Sequence, residues 1–238
     1  VGELVLKHNY YQNRAITMIE QNSVNQLNDV QWLIEVLEKT GHLDRGLEVI
    51  PNNEELNERS QHGLGLARPE ISVLLAYSKQ ALKQKLLLEL EGVDQQLFQQ
   101  ELMHYFPQQL QQQFPEEIKK HCLANEIVAN GLVNSFVNRM GMVLAFRLIE
   151  ETGCSIVSIF NVYKQVCNTF VIFDLWHQVE SEDLHLDGGV QEQLLRAIGK
   201  VIERAMHWFL SQDSDKIDIQ LYVSGIAELK LGLLGFIS

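Results

Sequence analysis

The pair Gly63-x-Gly65 is the stretch whose residue types come nearest to nucleotide chemistry. Two glycines before a helix can bring backbone N–H groups close to a phosphate, as in the dinucleotide-binding fingerprint GxGxxG. Here Arg68-Pro69 stands where the third glycine belongs, and a charged segment precedes Gly63 where the fingerprint requires a buried strand. The spacing therefore predicts a flexible turn before a helix that starts at Pro69, and it predicts no NAD-binding residue.

Histidine is a second possible source of chemistry, because the chain contains eight of them. A metal site on a helix needs a pair such as HxxxH or a nearby cluster of carboxylates, and neither pattern occurs. We therefore predict no metal ligand. The histidines considered are His8, His42, His62, His104, His121, His177, His185 and His207.

Two residues could act as nucleophiles. Ser224 lies in Val223-Ser224-Gly225, which lacks the first glycine of a nucleophile elbow, so nothing favours a triad although spacing alone leaves one open. Cys122 follows His121, but neighbouring side chains on a helix point about 100° apart. We interpret Cys122 as a small core residue beside a surface imidazole, and we predict no catalytic residue.

Asparagines interrupt the most apolar helical stretch of the chain, residues 115–153. Apolar residues at steps of three and four predict one long helix here, or two nearly collinear helices divided at Gly141. Asn130, Asn134 and Asn138 are four residues apart and share one side of that helix. Asparagine is a mediocre helix former, so the seam needs a reason. It is either an internal seam bonded to a neighbouring element or a contact surface for another domain, and we favour the internal seam.

Helical periodicity also covers most of the remaining chain, which predicts an all-α fold arranged as an irregular multi-helix bundle. Further helices are expected over residues 3–20, 23–41 with Ser23 as the cap, 52–62, 69–90, 95–104, 107–113, 155–170 and 190–210. Residues 171–176 are ambiguous between helix and strand, with Asp174 interpreted as the cap of a short helix to residue 182. Residues 217–223 alternate as a short strand would.

Charge and cysteine content exclude several classes of protein. The formal net charge of −12 repels phosphate backbones, so we expect no nucleic-acid partner. Cys122, Cys154 and Cys167 are odd in number and form no CxxC pair, which favours a reducing compartment such as the cytoplasm. Apolar runs fall short of the eighteen or so residues that a membrane span requires, so we expect no membrane partner.

The sequence nevertheless resembles a known family. Residues 126–141 (EIVANGLVNSFVNRMG) and 147–153 (RLIEETG) resemble the helical region near the C-terminal end of the large bacterial NAD-dependent glutamate dehydrogenases. Three further stretches resemble that region in the same order: residues 4–14 (LVLKHNYYQNR), 65–79 (GLARPEISVLLAYSK) and 162–176 (VYKQVCNTFVIFDLW).

The resemblance implies that the full-length polypeptide oxidatively deaminates L-glutamate to 2-oxoglutarate and ammonia with NAD. In the family the catalytic and nucleotide-binding motifs precede this region, and we find no match to them in residues 1–238. The resemblance therefore implies that this piece contains no catalytic residue and no cofactor site, and that it is inactive alone.

The apolar pattern begins directly after Val1, so we expect the chain to start inside a longer polypeptide. Residues 1–62 would then leave the upstream catalytic part and residues 63–238 would form the main helical domain, unless 1–238 is one continuous domain. The expected partners are the upstream catalytic domain and further copies in a homo-oligomer, with a role in assembly, stability or regulation. The rival is an independent all-helical protein–protein interaction module, although no repeat of twenty to fifty residues supports it.

Overall fold

The computed structural model describes residues 2–91, 95–181 and 187–212. In these residues the chain forms twelve α-helices, one short 3-10 helix and no strand, which confirms the all-α fold class. The α-helices are α1 (Gly2–Asn22), α2 (Leu27–Lys39), α3 (Asn53–Gln61), α4 (Arg68–Leu90), α5 (Gln99–Tyr105), α6 (Gln108–Gln113), α7 (Pro115–Lys119), α8 (Ala124–Met140), α9 (Leu144–Thr152), α10 (Ile156–Thr169), α11 (Ile172–Ser181) and α12 (Gly188–Ser211). The 3-10 helix, Gln95–Phe98, precedes α5. The predicted strand at residues 217–223 and Ser224 lie outside the described residues.

The chain divides into two compact units, Val1–Arg147 and Leu148–Ser238. In the first unit α4 packs against α1, α2 and α8, and α8 also packs against α1 and α5. In the second unit α10, α11 and α12 pack against one another. The expected division into residues 1–62, leaving an upstream catalytic part, and residues 63–238, forming the main helical domain, stays a prediction.

The longest buried stripe of the first unit belongs to α4. Its apolar residues recur at steps of three and four, so they face one side of the helix, as the period predicted. Ile71, Leu74, Leu75, Leu82 and Leu86 are fully buried. Each such side chain stabilises the fold by about 1.5–3 kcal/mol relative to an exposed one.

The core of the second unit forms in the same way. Tyr163 on α10 and Ile202 and Met206 on α12 are buried, in register with the predicted helical faces. Ser155 caps α10 by accepting the Ser158 N–H at 3.0 Å. The side chain of Asp187 likewise accepts an N–H from the first turn of α12. These caps satisfy N–H groups that have no partner inside the helix.

The expectation of one helix, or two nearly collinear ones, over residues 115–153 was wrong. Three helices occupy this stretch, and the chain bends by 100° between α8 and α9. The bend begins at Gly141, which has a φ of +85°. Glycine adopts this conformation readily because it has no Cβ. Upstream, the chain turns at residues 120–123, where His121 Nδ1 accepts the Leu123 N–H at 3.1 Å. Helical periodicity continues across both breaks because the apolar faces on either side are buried, so the period alone does not reveal them.

Two predicted caps were also wrong. Ser23 does not cap α2, which follows Gln26; its hydroxyl instead donates to the Glu20 carbonyl at 2.8 Å. Asp174 lies in the first turn of α11 rather than at its cap. The ambiguous residues 171–176 lie almost wholly in that helix, and Val171, with φ of +53°, lies at the 67° bend between α10 and α11.

Among the described residues, no single helix is long and apolar enough to cross a bilayer. Two bent pairs, α8 with α9 and α10 with α11, meet the criterion by combined length and composition only.

Candidate functional site

Three of the stretches that carry the family resemblance lie on α1, α4 and α8, and these three helices pack against one another. The stretches are residues 4–14, 65–79 and 126–141, so they are far apart in sequence. We call their common contact region the three-helix junction. Polar and aromatic side chains of the three helices meet there, namely Tyr11, Gln12, Arg14, Lys79 and Arg139.

Tyr11 lies between two guanidinium groups at this junction. The Arg14 Cζ lies 5.3 Å from the centroid of the Tyr11 ring, and the Arg139 Cζ of α8 lies 4.8 Å from it. Arg139 also donates to Ser135 Oγ at 3.2 Å. A cation over an aromatic face contributes about 0.5–2 kcal/mol, more when desolvated. The ring of one helix therefore fixes a cation from another.

Lys79 of α4 joins the same region. It is half-buried, and its Nζ donates to Gln12 Oε1 of α1 at 3.3 Å. Burial lowers the pKa of Lys79 to about 8, because desolvation penalises the charged ammonium. The packing of α1 across α4 is a tertiary effect that the sequence of α4 alone could not reveal.

The asparagine seam runs from solvent into the core. Asn130 is exposed, Asn134 is half-buried, and Asn138 is 7 % exposed. The internal interpretation is therefore right for the inner end of the seam and wrong for its outer end. Asn138 Oδ1 makes no hydrogen bond with any described group, so the predicted bond to a neighbouring element is absent at that atom. A buried acceptor of this kind is uncommon.

The Gly63-x-Gly65 turn has a structural explanation at both glycines. Gly63, with φ of +70°, ends α3 as its N–H donates to the Ser60 carbonyl, while the Leu64 N–H donates to the Arg59 carbonyl, each at 2.9 Å. This is a Schellman motif, which satisfies the last carbonyls of a helix. Gly65 lies against Ser23, and an added Cβ would lie 2.0 Å from Ser23 Oγ. The turn predicted from the sequence is thus confirmed.

An ion pair holds the other side of this turn. Arg59 Nη1 donates to both carboxylate oxygens of Glu70, at 2.9 and 3.0 Å, and Glu70 also accepts the Ala67 N–H at 2.7 Å. The hydrogen bond from Arg59 to Glu70 raises the pKa of Arg59 above its ordinary value. The carboxylate that begins α4 therefore also binds the end of α3, which ties the two helices together.

The histidines and cysteines of the described residues lie on several different helices and turns. Within residues 2–91, 95–181 and 187–212, no group of three His, Cys, Asp or Glu side chains could hold a metal ion. His42, for example, contacts Thr40 Oγ1 and Gln84 Oε1, each at 3.0 Å. Nothing is described for the side chains of His8 and His185.

Cys122 is exposed, so its interpretation as a core residue was wrong. It lies in the turn between α7 and α8, where its neighbour His121 accepts a backbone N–H and its ring lies 5.7 Å from the Phe106 ring, centroid to centroid. The Nδ1 atom of His121 is therefore occupied by the turn. Residues that sequence reasoning missed are Tyr11, Arg14 and Lys79, and only their place inside a resembling stretch could have pointed to them.

These observations define an all-α module in which polar side chains join helices to one another. The chain belongs to the family described as glutamate dehydrogenase, C-terminal, whose model matches residues 63–235. The resemblance found in the sequence is thereby confirmed.

Curated relatives agree with the family match. The chain is 35 % identical over 218 residues to an NAD-specific glutamate dehydrogenase of Pseudomonas aeruginosa, which covers 92 % of this chain and 13 % of that protein. It is 33 % identical over 233 residues to one of Halomonas elongata, covering 97 % of this chain and 14 % of that protein. It is 31 % identical over 211 residues to one of Mycobacterium tuberculosis, covering 89 % and 13 %. The chain thus spans about one seventh or less of the length of these relatives.

Proposed function

We propose that this chain is a non-catalytic helical segment of an NAD-dependent glutamate dehydrogenase, and that it stabilises and helps to assemble the catalytic part. The full-length polypeptide would oxidatively deaminate L-glutamate to 2-oxoglutarate and ammonia with NAD. The observation that carries the proposal is the difference in coverage: the matches cover at least 89 % of this chain but only 13–14 % of each relative. The catalytic residues would then belong to the rest of the polypeptide.

The three-helix junction supports a stabilising role. The stretches that resemble the family meet there through cation–aromatic contacts, such as Arg139 of α8 over Tyr11 of α1. Such contacts fix how helices align and do not themselves act on a substrate. We accordingly expect the isolated chain neither to bind NAD nor to turn over glutamate. We also propose that the full-length protein is a cytoplasmic homo-oligomer.

The proposal is tested on the full-length polypeptide carrying Arg139→Met. We expect an unchanged KM for glutamate and NAD and an unchanged initial kcat, together with inactivation at a lower temperature, because the contact with Tyr11 is lost. A loss of about 1 kcal/mol lowers the midpoint by roughly 2–4 °C for a domain of this size. The matched control is Lys85→Met, which removes an exposed cation from the outer side of α4.

Three outcomes would contradict the proposal. A raised KM without a change in thermal inactivation would assign Arg139 to a substrate site. Micromolar, stoichiometric binding of NAD to the isolated chain in calorimetry would contradict the non-catalytic role. A full-length polypeptide without glutamate-dependent NAD reduction would favour the independent interaction module.

A further inference from the structure

The loop between α2 and α3 presents two large apolar side chains to solvent. Leu47 is 76 % exposed and Val49 is 81 % exposed, and only one residue separates them. Singly scattered apolar residues are ordinary on protein surfaces, whereas exposed apolar residues grouped in one patch mark contact surfaces more often. We call Leu47, Glu48 and Val49 the loop tip.

The backbone of the loop tip is strained. Val49 has φ of +55°, in the left-handed region that β-branched residues rarely adopt because the Cβ crowds the backbone. A residue in this conformation persists only when its surroundings hold it, and such residues cluster at functional sites. A protein that needed only to connect α2 with α3 could place a glycine or asparagine there.

Hydrogen bonds and burial hold the strained conformation in place. Asp44 Oδ1 accepts the Leu47 N–H at 3.0 Å, and the Ile50 N–H donates to the Arg45 carbonyl at 3.0 Å. Arg45 Nε in turn donates to the Pro51 carbonyl at 2.8 Å. Ile50 is buried, so the loop is fixed on the far side of its exposed tip. The apolar side chains are thus presented by a rigid support.

A depression of about 440 Å³ adjoins the loop tip on the outer face of α4. Tyr77 Oη donates to Glu48 Oε1 at 2.5 Å, which ties the loop to the helix across the edge of this depression. The lining residues are Glu48, Ser72, Val73, Ala76, Tyr77 and Gln80. Val73, Ala76 and the Tyr77 ring supply its apolar part, next to the two exposed apolar residues of the loop tip, while the other lining residues are polar.

Carboxylates flank this surface. Glu48 lies at its edge, and Asp44 is close enough to act on Tyr77 electrostatically. The cation of the loop, Arg45, already donates to Pro51 and Asn53. A complementary partner would therefore carry an apolar side chain beside Lys or Arg.

We propose that the loop tip and the depression form one docking surface for a segment of the same polypeptide outside residues 1–238, with an apolar side chain in the depression and a Lys or Arg beside Asp44 and Glu48. The inference rests on the proposed function in taking its partner from the rest of the dehydrogenase polypeptide. About six-sevenths of each of the three relatives lies outside the matched part, and the corresponding part of this polypeptide would supply that segment. A second copy using the same patch would bring like charges together, which disfavours it in a chain of net charge −12.

The test introduces the photo-crosslinking residue p-benzoyl-phenylalanine at position 49 of the full-length polypeptide. The control carries it at position 88, where Leu88 is equally exposed on α4. We expect crosslinks from position 49 to a peptide outside residues 1–238 that contains Lys or Arg, at tenfold or more the yield from position 88. Copies labelled with ¹⁵N, mixed with unlabelled ones, distinguish contacts within a copy from contacts between copies.

Charge is tested in the same background. Glu48→Gln should lower the crosslinking yield severalfold, whereas Glu58→Gln on exposed α3 should leave it unchanged. If position 49 fails to yield folded protein, position 47 serves instead. Crosslinks to residues 1–238 of a second copy, or a yield no higher than from position 88, would overturn the inference.

Glutamate-dependent NAD reduction, measured on the same samples, keeps the two proposals apart. An active protein without the specific crosslink would leave the proposed function standing and refute the docking surface. An inactive protein that gives the crosslink to the rest of the polypeptide would support the docking surface and refute the dehydrogenase assignment.

Discussion

Replacing Gly65 with alanine tests whether this glycine is present for packing rather than for nucleotide chemistry. The new Cβ would lie 2.0 Å from Ser23 Oγ, 2.6 Å from Ser23 Cβ and 3.0 Å from the Ser23 carbonyl carbon. Ser23 is buried and its hydroxyl bonds the Glu20 carbonyl, so it has little room to move. Overpacking of this kind costs about 1–3 kcal/mol, and contact with backbone puts Gly65→Ala at the upper end.

Two matched glycine variants separate overpacking from other effects of alanine. At Gly63, with φ of +70° and open space around it, alanine should cost only about 1 kcal/mol through the left-handed backbone. At Gly131, inside α8 and free of neighbours, alanine should raise the free energy of unfolding by about 0.5–1 kcal/mol. Urea titrations followed by circular dichroism should therefore rank Gly131→Ala above the parent, and Gly63→Ala above Gly65→Ala.

Ser23→Gly supplies the decisive comparison. It removes the two atoms of Ser23 that would lie nearest the new Cβ, so the double variant with Gly65→Ala should regain part of the lost stability. The contact with the Ser23 backbone remains, so the recovery should be incomplete. The reasoning is refuted if the free energies of unfolding of Gly65→Ala and Gly63→Ala differ by less than about 0.5 kcal/mol, which is the usual range of surface substitutions. It is also refuted if adding Ser23→Gly to Gly65→Ala restores no stability.

Two further predictions concern the three-helix junction and the seam beside it. Asn138→Leu should raise the free energy of unfolding by about 1 kcal/mol, because it removes a buried acceptor without a partner. The control Asn130→Leu, at an exposed position, should leave the free energy of unfolding nearly unchanged. Equal effects of the two substitutions would refute the idea that burial of the Asn138 amide costs stability. Lys79→Met should stabilise the protein by about 1–2 kcal/mol at pH 7, where folding must bury an ammonium whose pKa is lowered from 10.5 to about 8. Between pH 8 and 10.5 the unfolded chain binds more protons than the folded one, so the parent gains stability as pH rises and the advantage of Lys79→Met shrinks. An advantage that is independent of pH, or that Lys85→Met reproduces, would contradict this reasoning.

The helices could be predicted from the sequence because burial repeats with the helical period. In α4 the apolar residues at helical spacing are buried, and the helix expected over residues 52–62 forms as α3, which Asn52 caps by accepting the Glu55 N–H at 2.8 Å. Where helices end was harder to predict. Gly141 was recognised as a possible break, but the direction of the chain after it depends on its positive φ, which no periodicity records.

Tertiary contacts account for the other failures. Lys79 lies outside the apolar stripe of α4, yet α1 packs against α4 and Lys79 is half-buried there. Ser23 has the residue type of a cap, but the close approach of Gly65 uses it as a packing surface. In both cases the deciding neighbour lies more than forty residues away in the sequence, which local reasoning cannot reach.

The distribution of charge links the internal contacts to the proposed docking surface. The chain has 31 acidic and 19 basic residues, and several guanidinium groups are used inside the first unit. Arg59 binds Glu70, Arg139 lies over Tyr11, and Arg147 binds Asp29 while lying 5.6 Å from the centre of a tryptophan ring. In the loop between α2 and α3 the cation Arg45 is likewise engaged with Pro51 and Asn53, so Asp44 and Glu48 are the charged groups that stand beside the exposed Leu47 and Val49. Because attraction between exposed charges is screened within about 10 Å at 0.1 M salt, a contact of this acidic face with a basic segment should weaken as salt is added, while the apolar contacts of Leu47 and Val49 should not.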